Sequence, residues 1–167
     1  MRRRGYTLIE LMVVVIIMGI AAAVLTPLVS QANPLRLQAL ARQVVADVMQ
    51  VQSDAIAMQR SYCITFSTSG YVIAPVTGST VETGPDVVVT RTIGAGGDKD
   101  FSNVTVSAIT FPGNRLTFDA MGCPVNEPGS DEPAGDAYYE ITAGTERFRV
   151  WVRGFTGAVE VLSSPVN

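Results

Sequence analysis

Few residues in this chain could do chemistry. It contains no histidine, which removes the commonest general base, the commonest zinc ligand and every Ser-His or Cys-His catalytic pair. What remains is one pair of cysteines, Cys63 and Cys123, and one carboxylate, Glu10, placed within an apolar segment. The absence of histidine excludes most hydrolase mechanisms. We expect a protein that is not an enzyme and that holds no cofactor and no resident metal.

The two cysteines allow one disulfide. Cys63 opens a predicted strand, and Cys123 lies in a Gly-Cys-Pro turn. In an exported domain the two could be bonded. Closing a loop of about 60 residues would stabilise the fold by roughly 4 kcal/mol in the chain-entropy model. Two separate thiols, one of them buried, are the alternative. Both stay open, because a disulfide also requires the two Cα atoms to lie within bonding distance.

Two loops contain residue types that are typical of ligand sites. Residues 126–136 supply oxygens for calcium but lack the D-x-D-x-D-G order of a dedicated loop, so a solvated loop is expected; the candidates are Asn126, Glu127, Asp131, Glu132 and Asp136. Residues 94–99 lack most of a phosphate-binding pattern and predict a flexible hairpin tip.

Composition indicates one domain with an appendage. Of 167 residues, 47% are hydrophobic and 16% are charged, which suits a single core. Three of the twelve basic residues lie at positions 2–4, so the rest of the chain has nine basic against fifteen acidic residues. This acidic balance disfavours nucleic acid as a partner. Only Arg147, Arg149 and Arg153, at even spacing on one predicted strand, could form a basic stripe.

The appendage is the apolar N-terminal segment. Residues 11–29 contain no charge and are long enough to cross the roughly 30 Å hydrocarbon core of a membrane as a helix. The arginines before it predict a cytoplasmic N-terminus and an exported C-terminal part. A cleaved secretory signal is the alternative, because Ala21, Ala22 and Ala23 supply small residues for cleavage.

Glu10 argues against a disposable signal. A charged residue at the centre of a membrane helix costs on the order of 2.5–3.5 kcal/mol, and a signal that is discarded has no use for it. We therefore expect Glu10 to have a cationic partner, and inside an assembly of helices the nearest would be an amine from a neighbouring chain.

The residues Gly-Tyr-Thr-Leu-Ile-Glu-Leu-Met-Val-Val at positions 5–14 follow a short basic leader. This segment resembles the N-terminal signature of type IV pilins and type II secretion pseudopilins. The resemblance implies that prepilin peptidase cuts between Gly5 and Tyr6 and methylates the new amine of Tyr6. It also implies that Glu10, the fifth mature residue, pairs with a neighbour's N-terminus. Tyr6 departs mildly from the family, which most often has Phe there.

Two C-terminal segments carry a second resemblance. Residues 118–124, FDAMGCP, and residues 150–159, VWVRGFTGAV, are similar to the strand-turn pattern of the GspH/FimT branch of minor pseudopilins. This implies a minor structural subunit of a type II secretion pseudopilus, with other pilins or pseudopilins as partners. A minor type IV pilin for pilus assembly, twitching or DNA uptake is the alternative. Some FimT-like relatives are understood to bind DNA through basic C-terminal residues, where this chain has Glu160.

The resemblance also implies a location. The chain would be a single-pass protein of the bacterial inner membrane with its globular domain in the periplasm, and would later enter a filament. The expected organisation is a leader at 1–5, a transmembrane and assembly helix at 6–29 with a kink at Pro27, an amphipathic periplasmic helix at 30–60 and a β-rich globular domain at 61–167.

The pattern after residue 30 predicts an α+β fold, in which the long N-terminal helix packs on an antiparallel β-rich domain, and the resemblance implies that this fold is pilin-like. Asn33 and Pro34 suit a helix restart, with a simple loop as the alternative. Apolar residues then recur every three or four positions and predict a helix face against a sheet: Leu37, Leu40, Val44, Val48, Val51, Ala55 and Met58. Period-two segments follow and predict strands, at 62–67, 71–76, 87–93, 104–110, 115–119, 137–143, 147–152 and 158–162. Because Pro75 has no backbone N–H to donate, we expect the second strand to lie at a sheet edge.

Overall fold

A computed structural model describes residues 7–30, 32–94, 97, 101 and 103–165, without the side chains of residues 23–34 and 165. The chain divides into two compact units, residues 1–33 and residues 34–167. Helix α1, Leu8–Ser30, lies in the first unit. Over the part of the chain that the structure describes, no helix has both the length and the apolar character needed to cross a membrane.

Helix α1 continues past Pro27 to Ser30. A proline removes one backbone donor and crowds the preceding turn. The kink expected at Pro27 stays a prediction, because the side chain of this residue lies outside the described part.

Helix α2 comprises Ala32–Met58. It begins one residue before Asn33, so the predicted cap at Asn33 is wrong, and Pro34 lies in the first turn, where its missing N–H costs no helical hydrogen bond. At the other end Gln59 adopts φ 50°. The Arg60 N–H donates to Ala55 O at 3.1 Å and the Gln59 N–H donates to Ile56 O at 3.3 Å, which completes a Schellman motif.

One face of α2 is buried. The residues of this face recur at helical spacing and are at most 2% exposed: Leu37, Leu40, Ala41, Val44, Val48, Val51 and Ala55. The apolar face predicted from the periodicity therefore packs against the sheets, except at Met58, the last residue of the helix, which is exposed.

The β-domain contains two antiparallel sheets. Sheet 1 has the order β3-β2-β1-β6-β7 with β4 also paired to β2, and sheet 2 has the order β10-β9-β8-β5. The strands are β1 Tyr62–Ser67, β2 Gly70–Thr77, β3 Thr80–Val81, β4 Val89–Thr92, β5 Thr105–Ile109, β6 Arg115–Phe118, β7 Pro124–Val125, β8 Ala137–Ala143, β9 Glu146–Val152 and β10 Val159–Pro165. The predicted fold class, α+β with antiparallel pairing, is confirmed.

Strand β2 lies inside sheet 1, so the edge position predicted from Pro75 is wrong. On one side β2 pairs with β1, and on the other side it pairs first with β4, up to Ile73, and then with β3, from Val76. Pro75 falls in the gap between β4 and β3, where its missing N–H breaks no ladder hydrogen bond. Its carbonyl still accepts from the Glu82 N–H at 2.9 Å.

The core lies between α2 and the two sheets. Aromatic rings from both sheets meet there: Phe66 of β1 lies 4.7 Å from Tyr139 of β8 and 4.9 Å from Phe111, measured between ring centroids. Ile64, Leu116, Phe118, Ile141 and Val150 complete the centre of this core. Because both sheets bury side chains against the same helix, the turns at their ends are held in fixed positions along α2.

Candidate functional site

The start of α1 is the first candidate site. Gly5 and Tyr6, the predicted cleavage and methylation residues, lie outside the described residues. Thr7 is described and precedes the helix: its hydroxyl accepts from the Glu10 N–H at 3.3 Å, and its carbonyl accepts from the Leu11 N–H at 3.2 Å. Thr7 is therefore the N-cap: its carbonyl accepts the first intrahelical bonds, and its hydroxyl accepts from a backbone N–H of the first turn.

Glu10 has a local role that the sequence analysis missed. Thr7 and Glu10 have the T-x-x-E spacing of a capping box, which is the signal in the sequence, and the structure shows the half of the box in which the Glu10 N–H donates to the Thr7 hydroxyl. A carboxylate in the first turn also interacts favourably with the positive end of the helix dipole. Glu10 is exposed in the chain by itself, so its carboxylate is accessible to a cation from another molecule.

The rest of α1 presents apolar side chains to the outside. From Leu8 to Ile20 the large side chains are 48–78% exposed. A shallow apolar groove runs along one face of the helix, lined by Leu8, Leu11, Met12, Val15 and Ile16. A continuous apolar surface of this kind marks a contact with membrane or with other protein.

The cysteines are two free thiols, so the predicted disulfide is not formed in this structure. Cys63 in β1 pairs with Thr117 in β6, and β6 in turn pairs with β7, next to Cys123. With β6 between them, the two Cα atoms are at least two strand spacings apart, about 9.5 Å. A disulfide requires less than about 7 Å.

The environments of the two thiols differ. Cys63 is completely buried and Cys123 is exposed. Burial raises the pKa of the Cys63 thiol above its ordinary value, and the nearby Thr117 and Thr65 hydroxyls only partly oppose this shift. Cys63 is therefore a buried thiol of low reactivity, and Cys123 is the accessible one.

Of the three arginines predicted to lie on one strand face, Arg147 and Arg149 belong to β9, and Arg153 follows directly after it. Arg149 donates to Glu140 in a close ion pair, and the Arg147 Nε lies 3.8 Å from Glu140 Oε1. Arg153 contacts two carboxylates, Asp136 at 2.9 Å and Glu160 at 2.7 Å. The basic stripe is therefore paired with acidic side chains along its length.

The pKa values of the acidic partners reflect this pairing. Burial by itself would raise the pKa of Glu140, but hydrogen bonds from Arg149 and Ser107 outweigh it and lower the pKa. The Gly154 N–H and then the Arg153 guanidinium lower the pKa of Asp136. Both carboxylates are thus ionised at neutral pH, when they neutralise the arginines.

The remaining candidate loops do not converge on a ligand. Among the described residues no group of three or more cysteine, aspartate or glutamate side chains is arranged to hold a metal ion. In the loop at 126–136, which was expected to be solvated, the Glu132 N–H donates to Ser130 Oγ at 3.0 Å, and Asp136 pairs with Arg153. Of the predicted hairpin tip, residues 95, 96, 98 and 99 lie outside the described part.

A polar contact attaches α2 to sheet 1. Asp47 Oδ2 accepts from the Tyr71 hydroxyl at 2.7 Å and from Arg91 Nε at 3.1 Å. Burial, together with the hydrogen bond to Asp47, raises the pKa of Tyr71, so its hydroxyl stays protonated and donates. This cluster positions β2 and β4 on the helix.

Comparison with known proteins finds a motif match at the start of the chain and solved structures with a similar fold. Residues 1–26 match the model of the prokaryotic N-terminal methylation motif. The type IV minor pilin FimU of Pseudomonas aeruginosa has a similar structure in two crystal forms, with TM-scores of 0.55 and 0.54 and identities of 16% and 15%. The alignments cover 75% of this chain and 87% or 92% of FimU.

The chain has the motif and the fold of the type IV pilin and pseudopilin superfamily. The minor pseudopilin EpsH of the Vibrio cholerae type 2 secretion system is also similar, with a TM-score of 0.53 and 12% identity over 77% of this chain and 97% of EpsH. No curated protein matches the chain by sequence. The predicted resemblance to minor pilins and pseudopilins of the GspH/FimT kind is confirmed in motif and fold.

For a pilin-like chain, the methylation motif indicates membrane-anchored processing by a prepilin peptidase. FimU is part of a type IV pilus and EpsH of a secretion system, so this fold is common to both.

Proposed function

We propose that this chain is a minor structural subunit of a type II secretion pseudopilus. Prepilin peptidase cleaves the bond between Gly5 and Tyr6, which removes residues 1–5, and methylates the new amine of Tyr6. The helix at 6–29 anchors the chain in the bacterial inner membrane, with the N-terminus in the cytoplasm. The periplasmic part comprises the amphipathic helix at 30–60 and the β-rich domain at 61–167.

The observation that carries this proposal is the exposed apolar surface of α1 on a chain that has a minor-pilin fold. The large side chains from Leu8 to Ile20 are uncovered, whereas the β-domain buries its own core. An apolar helix outside the core of its own domain needs a second environment, first a membrane and then other subunits. Glu10, exposed within this surface, is the group available to a neighbour's Tyr6 amine.

The alternative is a minor type IV pilin that serves pilus assembly, twitching or DNA uptake. The similarity to FimU supports this alternative, and the similarity to EpsH supports secretion to the same degree. The two functions predict different partners: a secretion pseudopilin assembles with the other pseudopilins of a secretin-linked secretion cluster, and a minor pilin assembles with pilus subunits.

Isolation of the tagged full-length chain from its native membrane, with identification of the co-purified pilin-like proteins, tests the proposal. We expect pseudopilins encoded in a secretion cluster, together with loss of protein secretion when the gene is deleted. Co-purification of pilus subunits and loss of twitching, with normal secretion, would instead establish the alternative. A chain that co-purifies with no pilin-like protein would contradict both.

A further inference from the structure

Strand β10 is an open edge of sheet 2. Among the strands that the structure describes, β10 pairs with β9 and with no other. The pairing with β9 is regular over all seven residues, Val159–Pro165. Natural proteins usually protect a sheet edge with a short strand, a bulge or charged side chains, because the unpaired backbone groups of an edge pair readily with another chain.

The other sheet edges in the described part of the chain are protected in these ways. In sheet 1, β3 and β7 contain two residues each and β4 contains four. In sheet 2, β5 contains five residues, and its register with β8 shifts between Val106 and Ala108. Of the described edge strands, β10 is therefore the one that is both long and regular.

Strand β10 also carries little charge. Its one charged residue is Glu160, which Arg153 neutralises at 2.7 Å. Val161 and Leu162 are 39% and 47% exposed. Because successive side chains of a strand point to opposite faces, each face of this edge has one exposed apolar side chain. A strand added beside β10 would cover both.

The turn before β10 shows which of its backbone groups are unpaired. The Gly157 N–H donates to Arg153 O at 3.0 Å, and the Arg153 N–H donates to Ala158 O at 2.9 Å, so two residues lie opposite one in a β-bulge. The Ala158 carbonyl thus points to β9. Since backbone groups alternate in direction along an antiparallel strand, those of residues 159, 161, 163 and 165 point outward. Pro165 has no N–H and lies in an outward position, where the missing donor breaks no bond to β9.

We propose that β10 accepts an edge strand from a neighbouring pilin-like subunit, so that sheet 2 continues across the contact. The unpaired N–H and C=O groups at 159, 161 and 163 are spaced to pair with an extended strand. This inference rests on the proposed function, which supplies the neighbouring subunits. It adds a contact between β-domains to the contact between N-terminal helices.

The direction of the strands in sheet 2 fits this partner. Subunits anchored in one membrane through the same kind of N-terminal segment face the same way. The four described strands of sheet 2 all pair antiparallel, so β10 and β5, at the two edges, run in opposite directions. A neighbour with the same fold and orientation therefore presents a strand antiparallel to β10. Two β10 strands would pair antiparallel only if one subunit were turned by half a revolution, which a shared anchor opposes.

The partner is a related subunit and not a second copy of this chain. In a second copy with the same orientation, the strand next to β10 would be β5, and the shift between Val106 and Ala108 interrupts its row of backbone groups. A related subunit with a regular edge strand pairs along the whole of β10. Because β5 is interrupted, strand pairing does not propagate through repeated copies, which suits a minor subunit.

Proline substitution tests the pairing, because it removes one backbone donor. In Ser163→Pro the lost N–H points outward, so the ladder with β9 is kept and the thermal midpoint should change little. We expect the recovery of pilin-like subunits with the tagged full-length chain to fall about tenfold or more, since an acceptor of the partner loses its donor and the proline ring crowds the edge. The matched control is Ser163→Val, which changes the same side chain, keeps the N–H and should leave the recovery unchanged.

Ser164→Pro is a second control, because its N–H points to β9. This variant should lower the thermal midpoint, which confirms the assignment of inward and outward groups. Hydrogen exchange supplies a measurement that needs no variant. Peptides that cover residues 159–164 should exchange more slowly in the co-purified complex than in the purified chain in the same detergent, whereas peptides from β5 should not change.

Unchanged recovery of subunits with Ser163→Pro, or an equal loss with Ser163→Val, would overturn the inference and leave the proposed function intact. Unchanged exchange of residues 159–164 in the complex would do the same. If Ser163→Pro instead separated two differently tagged copies of the chain, the occupant would be a second copy, and if it impaired secretion with normal recovery of subunits, the occupant would be the secreted protein. Either result would overturn the inference. A wild-type chain that recovers no pilin-like subunit would contradict the proposed function and this inference together.

Discussion

The backbone N–H of Glu10 donates to the hydroxyl of Thr7 at 3.3 Å. The residue that the proposed function assigns to contact between subunits thus also belongs to the cap of its own helix. A capping box works with either Glu or Gln at the fourth position. The local role therefore does not need the negative charge, whereas pairing with an amine does.

Glu10→Gln separates these two roles. We expect the variant to insert into the membrane normally, because it keeps the cap and loses a charge that is costly in a membrane. Its recovery with tagged pilin-like subunits should fall, compared with wild type at equal membrane abundance. Thr7→Ala is the control, since it removes the cap at a cost of about 0.5–2 kcal/mol and keeps the carboxylate. Normal co-assembly of Glu10→Gln would show that apolar packing of helices is sufficient.

Replacement of Gly5 by a bulky residue should block removal of the leader, because a small residue precedes the predicted scissile bond. Mass spectrometry of the membrane-extracted protein is the measurement. Wild type should begin with methylated Tyr6, and Gly5→Phe should keep residues 1–5. A wild-type chain that begins near Ala23 would show instead that an ordinary signal peptidase cleaves it.

The two thiols should differ in reactivity in the exported protein. With β6 between Cys63 and Cys123, we expect no disulfide, rapid alkylation of Cys123, and alkylation of Cys63 only after unfolding. The raised pKa of Cys63 slows its reaction further, because less of it is thiolate at neutral pH. Intact mass before and after reduction, combined with alkylation, measures this. A mass lower by about two hydrogens, restored by reductant, would contradict the arrangement of sheet 1.

Glu140 should contribute stability that depends on pH. Its lowered pKa means that the folded state favours the ionised form, so the contribution is present above the unfolded pKa of about 4.3 and is lost as pH falls through the lower folded value. Glu140→Gln should reduce the free energy of unfolding at pH 7 by about 1–3 kcal/mol, because it removes charged hydrogen bonds from Arg149 and Ser107. The difference from wild type should shrink in acid.

Thermal unfolding at several pH values tests the Glu140 prediction. Glu160→Gln is a suitable control, since Glu160 also pairs with an arginine but is half exposed, and an exposed pair contributes little. A difference between Glu140→Gln and wild type that remains constant from pH 7 to acid would show that ionisation of Glu140 does not stabilise the fold.

The elements that rest on local pattern could be predicted from the sequence. The buried face of α2 follows from the spacing of Leu37, Leu40, Val44, Val48 and Val51, and most strands follow from period-two patterns between turn residues. The start of the chain was also recognisable, because leader, cleavage residues and Glu10 are adjacent in sequence. These features depend on side chains within one or two turns of each other, which is the range that a sequence displays.

Contacts between distant segments were decided only by the tertiary structure. The order of strands in sheet 1 places β6 between the cysteines and lets Pro75 lie inside the sheet, in the gap between β3 and β4. It also brings Gly122 and Thr156, from turns of different sheets, to the side chain of Gln52. Such contacts depend on which strands pair and on how both sheets pack on one helix. The free energy of that packing is shared over the whole core, so no local run of residues displays it.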